Sequence, residues 1–328
     1  MKECKVFFQK EIENVVRTLE NQKEGVDLTF ALVADSHLDD FEEDTLANIK
    51  AVDYNIAFDF IVHLGDFLNG NIPRGYTRKI LIEEMNKYRF ATASGILYPV
   101  QGNHDGFYFM GTENKKTDIA LDDEWYAATS FTADYEHLVR DAMAPYFYVD
   151  YPKKKIRLII LCSFSYELQE NKKYQKSYKM NPEQLEWLEK KAMVLDADWT
   201  VVLFSHSGVL NYYDETMYDE EPWLGNRKEL METVLSARKQ YGFSIAAWFC
   251  GHSHGEVCKT IQGIPFVEIG SQTCYVPQLW RMPKTGHFEV RERGSVTQDL
   301  WDAVTLNKVK REVYLCRFGA GSDRVIHY

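Results

Sequence analysis

Five short segments concentrate the residues of this chain that could do chemistry: Asp35-Ser36-His37, Gly65-Asp66, Gly102-Asn103-His104-Asp105, Ser205-His206 and Gly251-His252-Ser253-His254. Together they hold carboxylates, imidazoles and an amide, the hard and borderline ligands that zinc, manganese and iron accept. Five of the nine histidines fall inside these segments, while His63, His137, His287 and His327 lie outside them without partner spacing. Read singly, each segment has a plainer meaning: Asp-x-His or Gly-Asp is a turn, and Asp35 alone would cap the next helix. Their co-occurrence points instead to a two-metal centre.

The elements that must position them can be read from the flanking residues. Each segment directly follows an apolar, β-branched or aromatic run: Leu28 to Ala34, Phe58 to Leu64, Ile96 to Gln101, Trp199 to Phe204 and Ile245 to Cys250. Such runs are strands, so all five segments are expected at strand ends, where the loops of an α/β sheet gather residues distant in sequence. Helical spacing is expected in the opening segment, with Val6, Phe7, Ile12, Val15, Val16 and Leu19 among charges and packing outside the core, and from about Glu42 to Ile56 with Leu46, Ile49, Val52 and Ile56 on one face. Asn181-Pro182-Glu183-Gln184 places an N-cap, a proline at the first helical position and a glutamine at the third. The helix it opens should turn Leu185, Leu188, Ala192 and Leu195 inward. Runs at Pro265 to Ile269 and Arg311 to Phe318 read as strands closing the sheet, and Gly319-Ala320-Gly321-Ser322 as a turn after the last of them.

In this order the five segments resemble the pattern of the calcineurin-like metallophosphoesterase family, Asp-x-His, Gly-Asp, Gly-Asn-His-Asp/Glu, a later His, then Gly-His-x-His. The resemblance spans roughly Asp27 to Ser271. It implies an α/β fold, a metallophosphoesterase-type sandwich of two mixed β-sheets flanked by helices, with residues 27–328 as the phosphoesterase domain and 1–26 as an N-terminal helical extension. It also implies two divalent or trivalent metal ions (manganese, iron or zinc), with Asp35, His37 and His254 at one and Asn103, His206 and His252 at the other. Asp66 is the bridging candidate, because a carboxylate offers two oxygens where an imidazole cannot. A hydroxide shared by the two metals would attack phosphorus, His104 would protonate the leaving group, and Asp105 would orient His104. The expected reaction is hydrolysis of a phosphomonoester or small phosphodiester. A nuclease, a cyclic-nucleotide phosphodiesterase and a non-catalytic scaffold, as the retromer subunit of that family is, stand as alternatives. Phe67 to Asn69 offers no tyrosine ligand, so an iron-tyrosinate centre of the purple acid phosphatase kind is not expected.

Bulk properties narrow the partners. The chain has 328 residues, a formal charge of −11 and 45% apolar residues, an ordinary composition for a globular protein. An acidic surface repels polyanions, so long nucleic acid is disfavoured and a small phosphorylated substrate preferred. The basic run Lys153-Lys154-Lys155 with Arg157 reads as a solvated turn, and Arg281, Arg291 and Arg293 as a solvated face. No stretch approaches the length of a spanning helix, Met1 to Leu19 lacks the apolar core of a secretory signal, and no Cys-x-x-Cys occurs among the six cysteines. A cytoplasmic protein with reduced thiols is expected. Two aromatic stretches, at about 106–151 and from Ser207 to Asn226, begin directly after site segments. They are expected either to lie over the metals and select the substrate, or to form a satellite core under a loop.

Overall fold

The structure is a computed structural model that describes residues 4–70, 72, 74–106, 122–168, 174–209, 225–273 and 289–328. In chain order its main elements are α1 (Gln9–Gln22), β1 (Leu28–Val33), α2 (Glu42–Ile56), β2 (Phe60–His63), α3 (Arg74–Arg89), β3 (Leu97–Pro99), α4 (Asp122–Ala128), β4 (Leu138–Val139), β5 (Phe147–Tyr151), β6 (Ile156–Ile160), β7 (Ser165–Leu168) and β8 (Tyr174–Ser177). They continue with α5 (Pro182–Trp187), β9 (Thr200–Phe204), α6 (Arg227–Tyr241), β10 (Ser244–Cys250), β11 (Val257–Ile261), β12 (Ile264–Glu268), β13 (Leu300–Asn307), β14 (Glu312–Gly319) and β15 (Arg324–His327).

Two sheets form. The first has the order β15-β14-β13-β1-β2-β3 and the second β11-β12-β10-β9-β6-β5-β4, with β7 and β8 pairing as a separate hairpin. Both are mixed: β1, β2 and β3 run parallel while β13 joins β1 antiparallel. In the second, β6, β9, β10 and β12 run parallel, with β5 and β11 antiparallel on either side. The sandwich of two mixed sheets flanked by helices is therefore the architecture that the motif pattern implied.

Strand periodicity explains why the runs are apolar throughout. In β1, Phe30 and Leu32 point into the layer between the sheets, whereas Ala31 and Val33 face the helices outside. A strand covered on both faces has no polar side to display. The inter-sheet layer is aromatic: Phe30 stacks on Phe60 with centroids 4.8 Å apart and meets the edges of Phe204 and Phe249 from the opposite sheet at 6.1 and 6.3 Å. Outside the first sheet lie α1, α2, α3 and α4, and outside the second lie α5 and α6. The N-terminal helix turns Val15 and Leu19 inward and joins the layer over β14, with Phe8 against Phe318 at 5.8 Å.

Several local expectations change. Asn181 caps α5 by accepting from the Gln184 amide at 2.8 Å. The Gln184 side chain does not complete a capping box, however, but binds both the N–H and the C=O of Cys162 (2.8 and 2.7 Å), tying α5 to the end of β6. Lys153 to Lys155 do form the β5–β6 turn, whereas Arg157 is buried in β6, paired with Asp150 (2.7 Å) and donating to the Ala192 carbonyl. Arg291 is no solvated residue either: its guanidinium donates to the carbonyls of Ser271, Gln272, Thr297 and Gln298. Gly319 is the last residue of β14, and Ala320 to Ser322 turn toward β15, so this segment does not end the sheet. The last residues of the 106–151 stretch are β5, a member of the second sheet, and Trp125 is buried under α3, so the described aromatics there serve as core. Residues 107–121, 210–224 and Arg281 lie outside the described residues.

Among the described residues no helix is long and apolar enough to cross a membrane. Phe30→Ala should cost about 3–5 kcal/mol, because it opens a cavity between two sheets that cannot collapse. Urea denaturation should show a lowered midpoint with unchanged slope, whereas Tyr54→Ala at an exposed site should stay within about 0.5 kcal/mol.

Candidate metal centre

The loops that leave β1, β2 and β3 in the first sheet and β9 and β10 in the second meet at one end of the sandwich. The loop after β1 runs beside the loop after β2, held by three backbone bonds, Asp35 N to Gly65 O (3.0 Å), His37 N to Asp66 O (3.0 Å) and Leu38 N to Phe67 O (3.1 Å). Asp35, His37, Asp66, His252 and His254 all lie in the left-handed region, with φ between 50° and 75°. For residues with a Cβ this is unfavourable by roughly 1–3 kcal/mol each, and such strain collects where surrounding structure imposes a function.

Two glycines permit the approach of the loops. A Cβ on Gly102 would collide with the Asp66 backbone nitrogen and carboxylate, and one on Gly251 would come within 2.6 Å of Asp35 Oδ2. The third device is Asp105. Instead of turning to His104, its carboxylate accepts from the backbone amides of Asp66 (2.9 Å), Gly102 (2.8 Å) and Leu68 (3.0 Å), which splices the β2 and β3 loops together. The expected role of Asp105 was to orient His104; the hydrogen bonds described for its carboxylate go to these three amides. Burial, with the Asp66 charge added, pushes its pKa up to about 7 against the pull of the Leu68 and Gly102 amides.

The side chains then converge as acceptors. His37 donates from Nδ1 to the Leu68 carbonyl (3.1 Å) and His206 from Nδ1 to the Leu64 carbonyl (2.7 Å). Those bonds fix the tautomers and leave each Nε2 facing inward. His37 Nε2 lies 3.0 Å from His254 Nε2 and 3.8 Å from Asp66 Oδ2. His206 Nε2 lies 3.3 Å from Asp66 Oδ2, 3.0 Å from Asn103 Oδ1 and 3.2 Å from His252 Nδ1. Asp35 Oδ1 sits 3.5 Å from His254 Nε2; it is fully buried and has no hydrogen-bond donor within reach among the described residues, while Oδ2 accepts from the His252 amide.

Positive charge is what such a cluster lacks. Burial would raise the carboxyl of Asp35, but His254 and His206 outweigh it and hold it at about 2. Asp66 lies well below the usual range for the same kind of reason: against burial act the charges of His206, His104 and His37. Burial drives His37 down to about 4, only partly opposed by Asp66. His206 is also opposed by burial, yet Asp66 and Asp35 raise it to about 9, the shift expected where two carboxylates face an imidazole with no cation between them. Three groups of donor atoms could each hold a cation: Asp35, His37 and His254; His37, Asp66 and His104; and Asp66, His206 and His252. The nitrogen and oxygen donor set fits borderline divalent ions, and the unpartnered, buried Asp35 Oδ1 fits it too. All nine residues singled out from the sequence, Asp35, His37, Asp66, Asn103, His104, Asp105, His206, His252 and His254, are brought together.

Outside the nine, His63 is buried as expected, accepting from the Gly65 amide (3.2 Å) and facing Ser36 Oγ (3.0 Å), and burial lowers it to about 3. Glu268 escaped sequence reasoning: it holds Ser253 between the two histidines of its loop, by backbone and side chain. As the final residue of an apolar strand it carries no motif that would reveal it. Phe164 and Tyr178, at the base of the β7–β8 hairpin, pack beside His206 and His252, with centroids 5.7 to 6.4 Å away.

A family model described as calcineurin-like phosphoesterase matches residues 28–256. Comparison with curated proteins finds no match. Among solved structures, GAP50, the anchor in the inner membrane complex of Plasmodium, is 10% identical over 92% of this chain and 88% of its own, with a TM-score of 0.46. Phosphopantetheinyl hydrolase from Mycobacterium tuberculosis is 13% identical over 75% and 91%, at 0.40. Wild-type Vps29 complexed with zinc, from Entamoeba histolytica, is 12% identical over 91% and 97%, at 0.33.

Cation binding at pH 7 should expel the proton held on His206, since that group is protonated below about 9 in the cation-free chain and must be neutral to ligate. Calorimetric titration with Mn²⁺ in buffers of different ionisation enthalpy should report release of about one proton.

Proposed function

The chain belongs to the calcineurin-like phosphoesterase family, and on that premise we propose that it hydrolyses a phosphomonoester or small phosphodiester at a centre of two divalent cations. The observation that carries this reading is the convergence of inward-facing acceptors on both sides of one carboxylate, with His37 Nε2 and His206 Nε2 each within 4 Å of Asp66 Oδ2. In this reading Asp35, His37 and His254 would hold one cation, Asn103, His206 and His252 would hold the other, and Asp66 would be a ligand available to both. Two cations supply positive charge against the developing phosphoryl charge and make a water acidic enough to attack.

The chain's own groups do the rest. Leu64 and Leu68 carbonyls keep the lone pairs of His206 and His37 aimed inward. The buried, strongly acidic carboxyls of Asp35 and Asp66 stay ionised across the physiological range. His104 differs from its neighbours in exposure: its side chain is 31% accessible, against 0% for His206, while its Nε2 lies 3.8 Å from Asp66 Oδ2. It therefore stands on the open side, where a leaving oxygen departs, and serves as the acid that protonates it. A net charge of −11 disfavours long polyanions and directs substrate choice toward small phosphoesters.

A Mn²⁺-supplemented panel of aryl phosphomonoesters, bis-aryl diesters and cyclic nucleotides tests the activity; no turnover of any of them by metal-loaded protein would overturn it. Asp66→Asn should lose activity together with bound metal. His104→Ala should retain metal and lose roughly 10²–10⁴-fold in kcat with an alkyl leaving group, but far less with a nitrophenyl one that needs no proton. Equal losses on both substrates would remove His104 from the acid role.

A further inference from the structure

Behind the His252–His254 loop lies a buried ion quartet that the proposed chemistry does not use. Arg317 on β14 forks onto Asp302 of β13, Nε to Oδ1 at 3.0 Å and Nη2 to Oδ2 at 3.2 Å. The same Nη2 donates to Glu256 Oε1, and Nη1 donates to the Ala320 carbonyl at 2.6 Å. Arg324 of β15 reaches both acids as well, Asp302 Oδ2 at 2.5 Å and Glu256 Oε2 at 3.4 Å. Glu256, Asp302 and Arg317 are buried.

Glu256 is two residues past His254, where the site loop turns into β11. Upstream, that loop has several anchors: Gly251 N to the His206 carbonyl, His252 N to Asp35 Oδ2, and Ser253 to Glu268. Downstream of His254, whose φ is 64°, the loop is held by the Gly255 amide on Ser253 Oγ (3.2 Å) and by Glu256. A buried ion cluster is a poor way to gain stability, because desolvation of the charges offsets their attraction and apolar side chains of like volume do as well or better. What a planar guanidinium provides is direction, since its donors diverge at fixed angles and cannot re-aim.

We infer that Arg317 is a positioning residue for the metal centre, holding Glu256 against β13 so that the His252–His254 loop keeps its left-handed turns and both imidazoles stay aimed at Asp35 and Asp66. This rests on the two-cation reading, because the purpose of the aim is to ligate. It also assigns a role to the C-terminal hairpin of β14 and β15, which lies in the first sheet beyond β13 while the loop it steadies belongs to the second.

The test uses full-length Arg317→Lys and Glu256→Gln, the first keeping charge without the fork and the second keeping shape without charge. Mn²⁺ affinity by calorimetry should fall about tenfold or more in both, as for other residues that support ligands. Hydrogen exchange of the metal-free chains should rise in residues 251–257 while β9 and β10 keep their protection. A purely structural role would lower the melting temperature and leave both readouts at wild-type values; affinities within twofold and unchanged loop exchange overturn the proposal. Should Arg317→Lys not fold, Glu256→Gln decides alone. Should the wild-type chain bind no Mn²⁺, the two-cation reading fails, and loop exchange still decides whether Arg317 and Glu256 position the loop.

Discussion

Imidazole nitrogens and carboxylate oxygens crowd within 3 to 4 Å around Asp66, and most of them present lone pairs to one another. Groups of that kind repel or at best neglect each other unless positive charge sits between them. The raised pKa of His206 beside the lowered pKa of His37 is the response of the chain on its own: one imidazole takes a proton so that the carboxylates have a counter-charge, and the other is driven neutral by burial. Everything around the cluster serves to keep it from relaxing. Left-handed backbone at five of its residues, glycines with no room for a Cβ and a carboxylate spent on three backbone amides all resist the loops drawing apart.

The arrangement also depends on having two sheets. Asp35, Asp66 and Asn103 come from strand ends of one sheet, and His206 and His252 from strand ends of the other. Neither sheet alone holds a complete donor set for two cations. Hydrogen bonds stitch the halves at the seam: the backbone bonds Gly251 N to His206 O within the second sheet and Gln272 N to Ala34 O between the two, and the Ser271 hydroxyl donating to the Asp35 carbonyl.

Much of this was legible in the sequence for a physical reason. Donor residues for a metal must be of a few types, and strands covered on both faces must be continuously apolar, so the five runs and the five segments behind them stood out together. The helix from Glu42 to Ile56 was legible from its spacing. What escaped were residues whose partners are set by tertiary contact. Asp105 reads as a neighbour of His104, yet its oxygens go to amides 37 and 39 residues away in sequence as well as to Gly102. Gln184 reads as half of a capping box, but the end of β6 is closer to hand. β13 was missed although it lies between β1 and β14, because Asp302 and Thr305 interrupt its apolar run and the pairing that accommodates them is remote.

Phe30, Phe60, Phe204 and Phe249 form a buried layer between the two sheets. Since the donors divide between the sheets, the thickness of that layer is also the gauge that spaces one half of the centre from the other. Interiors packed to crystal density do not yield to small forces. Four buried rings therefore help set the distance between donors carried by one sheet and donors carried by the other.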